Sequence, residues 1–339
     1  LGCGAYAAEK AVNVDTPTAV DTPQVPLEAT DPGYNASLIK INPTKGNFAV
    51  DQHGQSNYSI PIEVPEGIAG HKPHFSLRYS SGNASNGLVG MGWSLSGGGQ
   101  VSRCSKNYNM DRERAGIEWN SNDRFCLNGS RLLLIGSGNY GDPDTQYKLR
   151  VDDGSRITAV GGSNGKPSHF KWERKNGDIL LLGQSDNSRN KVKTETLSWL
   201  VTSNTDSSNN KIAYSYYNDS NGVRLKSASY AFVSDVAKAK VEFEYDTRSD
   251  IRTTYIAGVA QTKNQRLGKV KLYNDVGSGL QEYRYYELGY NQHTTVTDMD
   301  HSSRLTSVTE CAGGDCRNPT TFDWELPQPM TMGQTSYSF

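Results

Sequence analysis

From about residue 46 onward, apolar residues recur at every second position in short runs, and glycine, proline, asparagine and aspartate break the runs apart. In NYSIPIEVP the residues Tyr58, Ile60, Ile62 and Val64 fall on one side of an extended chain, and in HFSLRYS the set is Phe75, Leu77 and Tyr79. A period of two is that of a half-buried strand. HFKWERKNGDILLLGQ (169–184) reads as a hairpin turned at Asn176-Gly177, and TLSWLVTSNTDSSNNKIAYSYYN (196–218) as two strands joined by a polar link. RLKSASYAF, KVEFEYD, KVKLYND, LQEYRYYELGY and RLTSVTE predict further strands of four to eleven residues with no helix between them. The expected fold is all-β, with many short antiparallel strands in hairpins forming sandwich- or barrel-like sheets.

Composition sharpens that picture. The 339 residues include 34 Gly and 19 Tyr with only 35% apolar residues, the palette of a turn-rich sheet protein of one large or two ordinary domains. A formal net charge of −1 offers no basic surface to nucleic acid or anionic lipid. No apolar run reaches the roughly eighteen residues of a membrane-spanning helix.

The first ten residues, LGCGAYAAEK, place an A-x-A triplet at Ala5-Tyr6-Ala7. Residues 1–7 read as the remnant of a secretory signal peptide cleaved after Ala7, so the chain is expected to be exported. Leu1-Gly2-Cys3 also fits the end of a lipobox, which keeps lipid anchoring through Cys3 open as the less favoured reading. Residues 8–44 are Thr- and Pro-rich and aperiodic, the pattern of an extended linker, with a short strand at 37–41. The four remaining cysteines form two local pairs, Cys104 with Cys126 and Cys311 with Cys316, expected to be disulfides in an oxidising compartment. On the chain-entropy model the first bridge would stabilise by about 3 kcal/mol. No C-x-x-C occurs and the six histidines are scattered, so no zinc site is expected.

One stretch argues against itself. NGLVGMGWSLSGGGQVSRC (86–104) carries the glycines of a loop and the large apolar residues of a core. A phosphate cradle would lead into a helix, whereas this stretch leads into alternating and then turn-forming residues. GSGNYG (136–141) fits G-x-G-x-x-G after the strand-like RLLLI, yet it runs into DPDTQYKLR with Pro143 where a helix would grow. No cofactor is expected at either place. The preferred reading is a clasp in which Gly90 and Gly92 let the backbone pass close to a neighbouring strand while Met91 and Trp93 enter the core.

With GLVGMGWSLSGGGQVSRC, DRFCLNGSRLLLIG and WLVTSNTDSSNNKIAYSY, residues 45 to 325 resemble the N-terminal domain shared by SpvB-type virulence-plasmid proteins, the B component of Tc insecticidal toxins, and proteins of the Rhs and YD-repeat class. The resemblance implies a β-rich module that precedes propeller-like and shell-forming regions in secreted toxins or surface proteins, whose shell encloses a C-terminal effector. Residues 326–339 would then open the following segment. Implied partners are downstream shell or effector domains, or other toxin-complex subunits, with contact at a host-cell surface.

Relatives of this family can carry an ADP-ribosyltransferase signature, and Arg224, Ser227-Ala228-Ser229 and Glu242-Phe243-Glu244 occur here in the matching order. Strand alternation explains them more simply, with Val241, Phe243 and Tyr245 on one face and the two glutamates on the other. Asp298-Met299-Asp300-His301 reads as a polar turn, not a calcium loop, and a serine-nucleophile elbow is not expected. Trp93, Trp119, Trp172, Trp199 and Trp324 could stack on sugars but sit in apolar strand patterns, which favours core packing. The expected function is a non-enzymatic structural domain of a secreted toxin or surface protein, contributing to the β-shell; the alternative is an extracellular adhesin or carbohydrate-binding β-module.

Overall fold

In the computed structural model, residues 43–256, 258–291 and 302–325 are described. The residues read as a signal-peptide remnant (1–7), as a linker with a short strand (up to residue 42), as a polar turn (298–301) and as the start of a following segment (from 326) lie outside the described residues.

Alternation along the strands builds both of the expected architectures, side by side. Eight strands close into an antiparallel barrel. They are Gln100–Cys104, Arg124–Leu127, Ser130–Ile135, Gln146–Leu149, Arg156–Val160, His169–Glu173, Ile179–Leu182 and Glu195–Thr205. Neighbours pair in this order, and the last strand returns to the first with Trp199 opposite Val101. The tight turn at Asn176-Gly177 joins two of them, with Gly177 at φ +90°. A barrel of this size is filled by its own side chains. Here Phe125, Tyr147, Phe170 and Trp199 occupy the interior, with the Trp199 ring 5.1 Å from Phe170 and 5.8 Å from Phe125.

The second half of Glu195–Thr205 stays paired with Ile179–Leu182 in the barrel and with its other edge begins another sheet. Lys211–Asp219, Gly222–Val233, Val236–Ile256, Val259–Asp275, Leu280–Asn291 and Arg304–Ala312 follow as a meander of antiparallel neighbours. Facing it is a four-stranded sheet of Asn47–Val50, Ser56–Ile62, Phe75–Ser80 and Trp93–Ser96. Ile60, Leu77 and Trp93 from the smaller sheet meet Val241, Phe243 and Val270 from the larger one in a single apolar core. Burying such faces is the main favourable term in folding.

Two features depart from the expectation of uniformly short strands. Val236–Ile256 and Val259–Asp275 are 21 and 17 residues long. Their outer ends, from Thr253 to Thr262, have no facing sheet and are largely exposed, so no buried side imposed an apolar alternation on the sequence. A single helical turn, Tyr108–Asp111, also interrupts the strands, capped by the Asn107 side chain accepting from Met110 N–H at 3.0 Å.

The two cysteine pairs are joined as disulfides, Cys104 to Cys126 and Cys311 to Cys316. The first links adjacent barrel strands; the second links directly opposite residues at the end of Arg304–Ala312. Among the described residues no helix is long and apolar enough to cross a membrane.

Trp199 is fully buried and donates from Nε1 to the Pro167 carbonyl at 3.2 Å. Trp199→Ala should therefore lower stability by about 3 to 5 kcal/mol in urea unfolding, because it empties the middle of the barrel; a loss under about 1 kcal/mol would show that the barrel is not closed around this ring.

Candidate functional site

The glycine-rich stretch is the most unusual local structure, and its shape follows from the positions of its glycines. Asn86–Gly87 and Gly90–Met91 pair as a minimal hairpin with Leu88 and Val89 at the tip. Gly90 has φ +87°, and a Cβ there would lie 2.7 Å from the Ser303 carbonyl oxygen. Gly92 has φ +74°, and a Cβ there would lie 2.7 Å from the Tyr79 ring. Both positions combine a backbone conformation that disfavours side chains with a lack of room for one.

The hairpin tip reaches across to the larger sheet. Leu88 accepts a hydrogen bond from Leu267 N–H at 2.7 Å, and Met91 N–H donates to the Ser303 carbonyl at 2.8 Å. Trp93 is 2% exposed in the intersheet core, as is Val89 at 1%. Met91 differs from the expectation: it is half-buried and outside the core cluster, and Val89 fills the place instead.

Beneath the hairpin lies a polar network that the sequence pattern did not single out. The ladder between Val236–Ile256 and Val259–Asp275 slips between Thr247 and Arg252, and in that bulge Arg248 turns inward until it is 2% exposed. Arg248 donates to the Gly87 carbonyl at 2.7 Å, to the Asn86 side-chain oxygen, and from Nε to Asp250 at 2.8 Å. Asp250 also accepts from Asn86 Nδ2 at 2.8 Å and from the Ser303 hydroxyl at 2.7 Å. Burial alone would raise the Asp250 pKa, but the hydrogen bonds from Arg248, Asn86 and Ser303 outweigh it and hold the carboxyl well below its ordinary value. The only hint in the sequence was Thr-Arg-Ser-Asp (247–250), a fully polar run in the middle of a strand.

A second buried cation occupies the barrel. Arg103, 4% exposed, points inward on the same face as Val101 and binds Asp123 at 2.7 Å and the Gly165 carbonyl at 2.7 Å. Its guanidinium lies 5.5 Å from the ring centres of both Phe125 and Trp199. Desolvation lowers its pKa, opposed by the Asp123 charge. Asp123 in turn accepts from the Glu118 and Trp119 N–H groups, so the pair ties the 118–123 loop to the barrel wall.

The residues tested for ADP-ribosyl transfer have other engagements. Ser227 and Glu242 are cross-strand partners, but Glu242 binds Lys240 and Glu244 binds Lys271, each at 2.7 Å. Arg224 is 4% exposed, paired with Asp219 at 2.9 Å and lying 5.5 Å from the ring centres of both Tyr217 and Tyr245. GGSNG at 161–165 does satisfy the letters of a serine elbow, a match that the sequence reading passed over. It forms a turn closed by a Ser163–Lys166 bridge between two barrel strands, with no helix behind it. GSGNYG is likewise a connection between strands, with Gly136, Gly138 and Gly141 at positive φ. Trp93, Trp172 and Trp199 are core residues, whereas Trp119 and Trp324 lie outside strands and are half-buried. Among the described residues, no cluster of three or more His, Cys, Asp or Glu is placed to hold a metal.

A barrel fused through one strand to a sandwich recurs in solved structures. The TcdB2-TccC3 crystal structure matches with a TM-score of 0.65 at 18% identity over 80% of this chain. The matched part is 16% of the TcdB2-TccC3 chain, so this chain spans a small fraction of that relative's length. The Photorhabdus luminescens Tc holotoxin pore matches with a TM-score of 0.65 at 18% identity, over 80% of this chain and 15% of its own. The N-terminal domain of the effector protein SpvB from Salmonella typhimurium strain LT2 matches with a TM-score of 0.60 at 20% identity, over 75% of this chain and 98% of its own. No curated protein matches in sequence. These likenesses define the fold class, an all-β domain. The chain belongs to the SpvB family, whose model, described as Salmonella virulence plasmid 65kDa B protein, matches residues 50–259.

The clasp yields two predictions. Trp93→Ala should cost about 3 to 5 kcal/mol, and Gly92→Val about 1 to 3 kcal/mol for its backbone alone; near-normal melting of both variants would mean that the stretch is an exposed loop. Because Asp250 titrates lower in the folded than in the unfolded chain, its contribution is complete above its unfolded pKa of about 4 and is lost as pH falls toward the folded value. Asp250→Asn should thus cost about 3 to 5 kcal/mol at pH 7, with the gap to the parent narrowing below about pH 4; a pH-independent gap would remove the charge from the account.

Proposed function

We propose that this chain is a non-enzymatic structural domain of a secreted toxin or Rhs-like surface protein, extending over residues 45–325 and contributing to a shell that encloses or delivers a separate C-terminal effector. The observation that carries the proposal is the engagement of the catalytic candidates within the fold: Glu244 and Arg224 tie neighbouring strands together, Glu242 pairs with Lys240 on its own strand, and Arg248 with Asp250 holds a loop. A catalytic group must instead face a reacting atom. The fold shared with TcdB2-TccC3 and the SpvB N-terminal domain supports the toxin context. The two disulfides are compatible with an extracellular setting, and with removal of residues 1–7 on export.

In an assay of NAD⁺ consumption and ADP-ribosyl transfer, the chain and its Glu244→Gln variant should both stay at background. Turnover by the parent that falls in the variant would show catalysis and end the structural reading.

A further inference from the structure

Beyond the bulge that carries Arg248, the ends of Val236–Ile256 and Val259–Asp275 run on together as a two-stranded ribbon. Among the described residues, each strand is paired there only with the other. The ribbon turns between Ile256 and Val259, with Gly258 at φ +76°. Residues opposed in a ribbon share a face, and successive rungs alternate between the two faces. Ile256 stands opposite Val259 on one face and Tyr255 opposite Ala260 on the other, so the tip is apolar on both sides. Tyr255 is 74% exposed.

The rungs below the tip change in a regular order. Thr254 with Gln261 and Thr253 with Thr262 are polar and uncharged; Arg252 then stands opposite Lys263. Like charges at opposed positions weaken a ribbon, and an anion lying against them would relieve that cost. None comes from the neighbouring sequence, since no Asp or Glu occurs from 251 to 274. The whole-chain charge of −1 averages over this stretch of one sign. At the root of the ribbon Arg248 and Asp250 bind Gly87, Asn86 and Ser303, so the tip is presented at a fixed place on the fold.

We propose that the ribbon tip enters the interface of an anionic lipid bilayer. A protein groove or sheet covers one face of a ribbon and leaves the apolar residues of the other face in water, whereas lipid surrounds both. The order of the rungs matches the order of layers in a membrane surface. At about 3.4 Å per residue, the Arg252 and Lys263 rung lies roughly 14 Å from that of Ile256 and Val259. A tip seated about 5 to 10 Å into the boundary between headgroups and acyl chains leaves those cations at the level of the phosphates, with Tyr255 at the depth that tyrosines favour. The strands do not go deeper, because their outer edges are unpaired and bare backbone groups are not tolerated in hydrocarbon. Lipid contact of this kind does not require that the chain form part of a shell.

The test sediments the intact chain with vesicles of phosphatidylserine and phosphatidylcholine, and with vesicles of phosphatidylcholine alone. Binding should saturate on the anionic vesicles, be at least about tenfold weaker without phosphatidylserine, and weaken as salt is raised. Tyr255→Asp should abolish it without changing the melting temperature, because this side chain lies outside both apolar cores. Lys263→Gln should lower affinity about fivefold, and it keeps the test decisive if Tyr255→Asp folds poorly. Val236→Asp adds the same charge at a different hairpin turn, where Val236 is 56% exposed, and should bind like the parent. The proposal is overturned by no saturable binding to the anionic vesicles, by equal binding to phosphatidylcholine alone, by parent-like binding of Tyr255→Asp, or by an equal loss in Val236→Asp.

Discussion

The whole architecture turns on one strand that serves two sheets. Through Ser198, Trp199 and Leu200 the strand Glu195–Thr205 pairs with Gln100–Cys104 and closes the barrel; through Ser203, Asn204 and Thr205 it pairs with Lys211–Asp219 and starts the sandwich. Backbone N–H and C=O groups inside a protein must be paired, and a sheet edge left bare invites association with other chains. Sharing a strand answers both demands at once, because the barrel has no edge and the larger sheet gains a neighbour where it emerges. The buried Trp199 sits at the point of closure, so the packing of the barrel and the path of the chain out of it are fixed together.

Two buried arginines then fasten the loops that strand pairing alone would leave loose. Arg103 with Asp123 secures the 118–123 loop, and Arg248 with Asp250 secures the glycine hairpin at 86–91. Buried pairs of this kind give little net stability, since desolvation offsets most of the attraction. Their effect is on specificity: each is bonded to backbone groups of particular neighbouring segments, so a misplaced loop would leave a charge buried and unpaired. The glycines do the complementary job, since Gly90 and Gly92 allow the approach that the arginine network then holds.

How much of this was legible in the sequence depends on whether a residue's signal is local. The strands at 56–62, 75–80 and 169–182 announced themselves because one face of each is buried and the period of two shows directly. Gly90, Gly92 and Trp93 drew attention because the conflict between loop and core residues lies within a few positions. Arg248, Asp250 and Ser303 were not, because their partners are far away in the chain: Ser303 is 53 residues from Asp250, and Asn86 is 162 from Arg248. The long ribbon ending at Ile256 was missed for the opposite reason, since with solvent on both faces it has no periodic constraint. The ring contacts of Phe322 with Tyr58 and of Trp324 with Tyr79 also escaped, since Phe322 and Trp324 follow the last short strand and meet those tyrosines only through the fold.

The filled barrel limits what the shell reading can mean. Its interior is taken up by Phe125, Tyr147, Phe170, Trp199 and the Arg103–Asp123 pair, and the sandwich is closed by its own apolar core, so neither lobe has room for a protein cargo. A domain of this kind can take part in enclosing an effector only as a piece of wall, with its outer faces against other domains. The unit that would do so is larger than the span of the family match. The matched residues end at 259, at the tip of the long ribbon, whereas Val270, Leu272, Leu288 and Val308 beyond it belong to the same core as Ile60 and Leu77. Cutting the chain at residue 259 would strip the smaller sheet of much of its facing surface, so the fold requires the strands through Arg304–Ala312 whatever the family boundary.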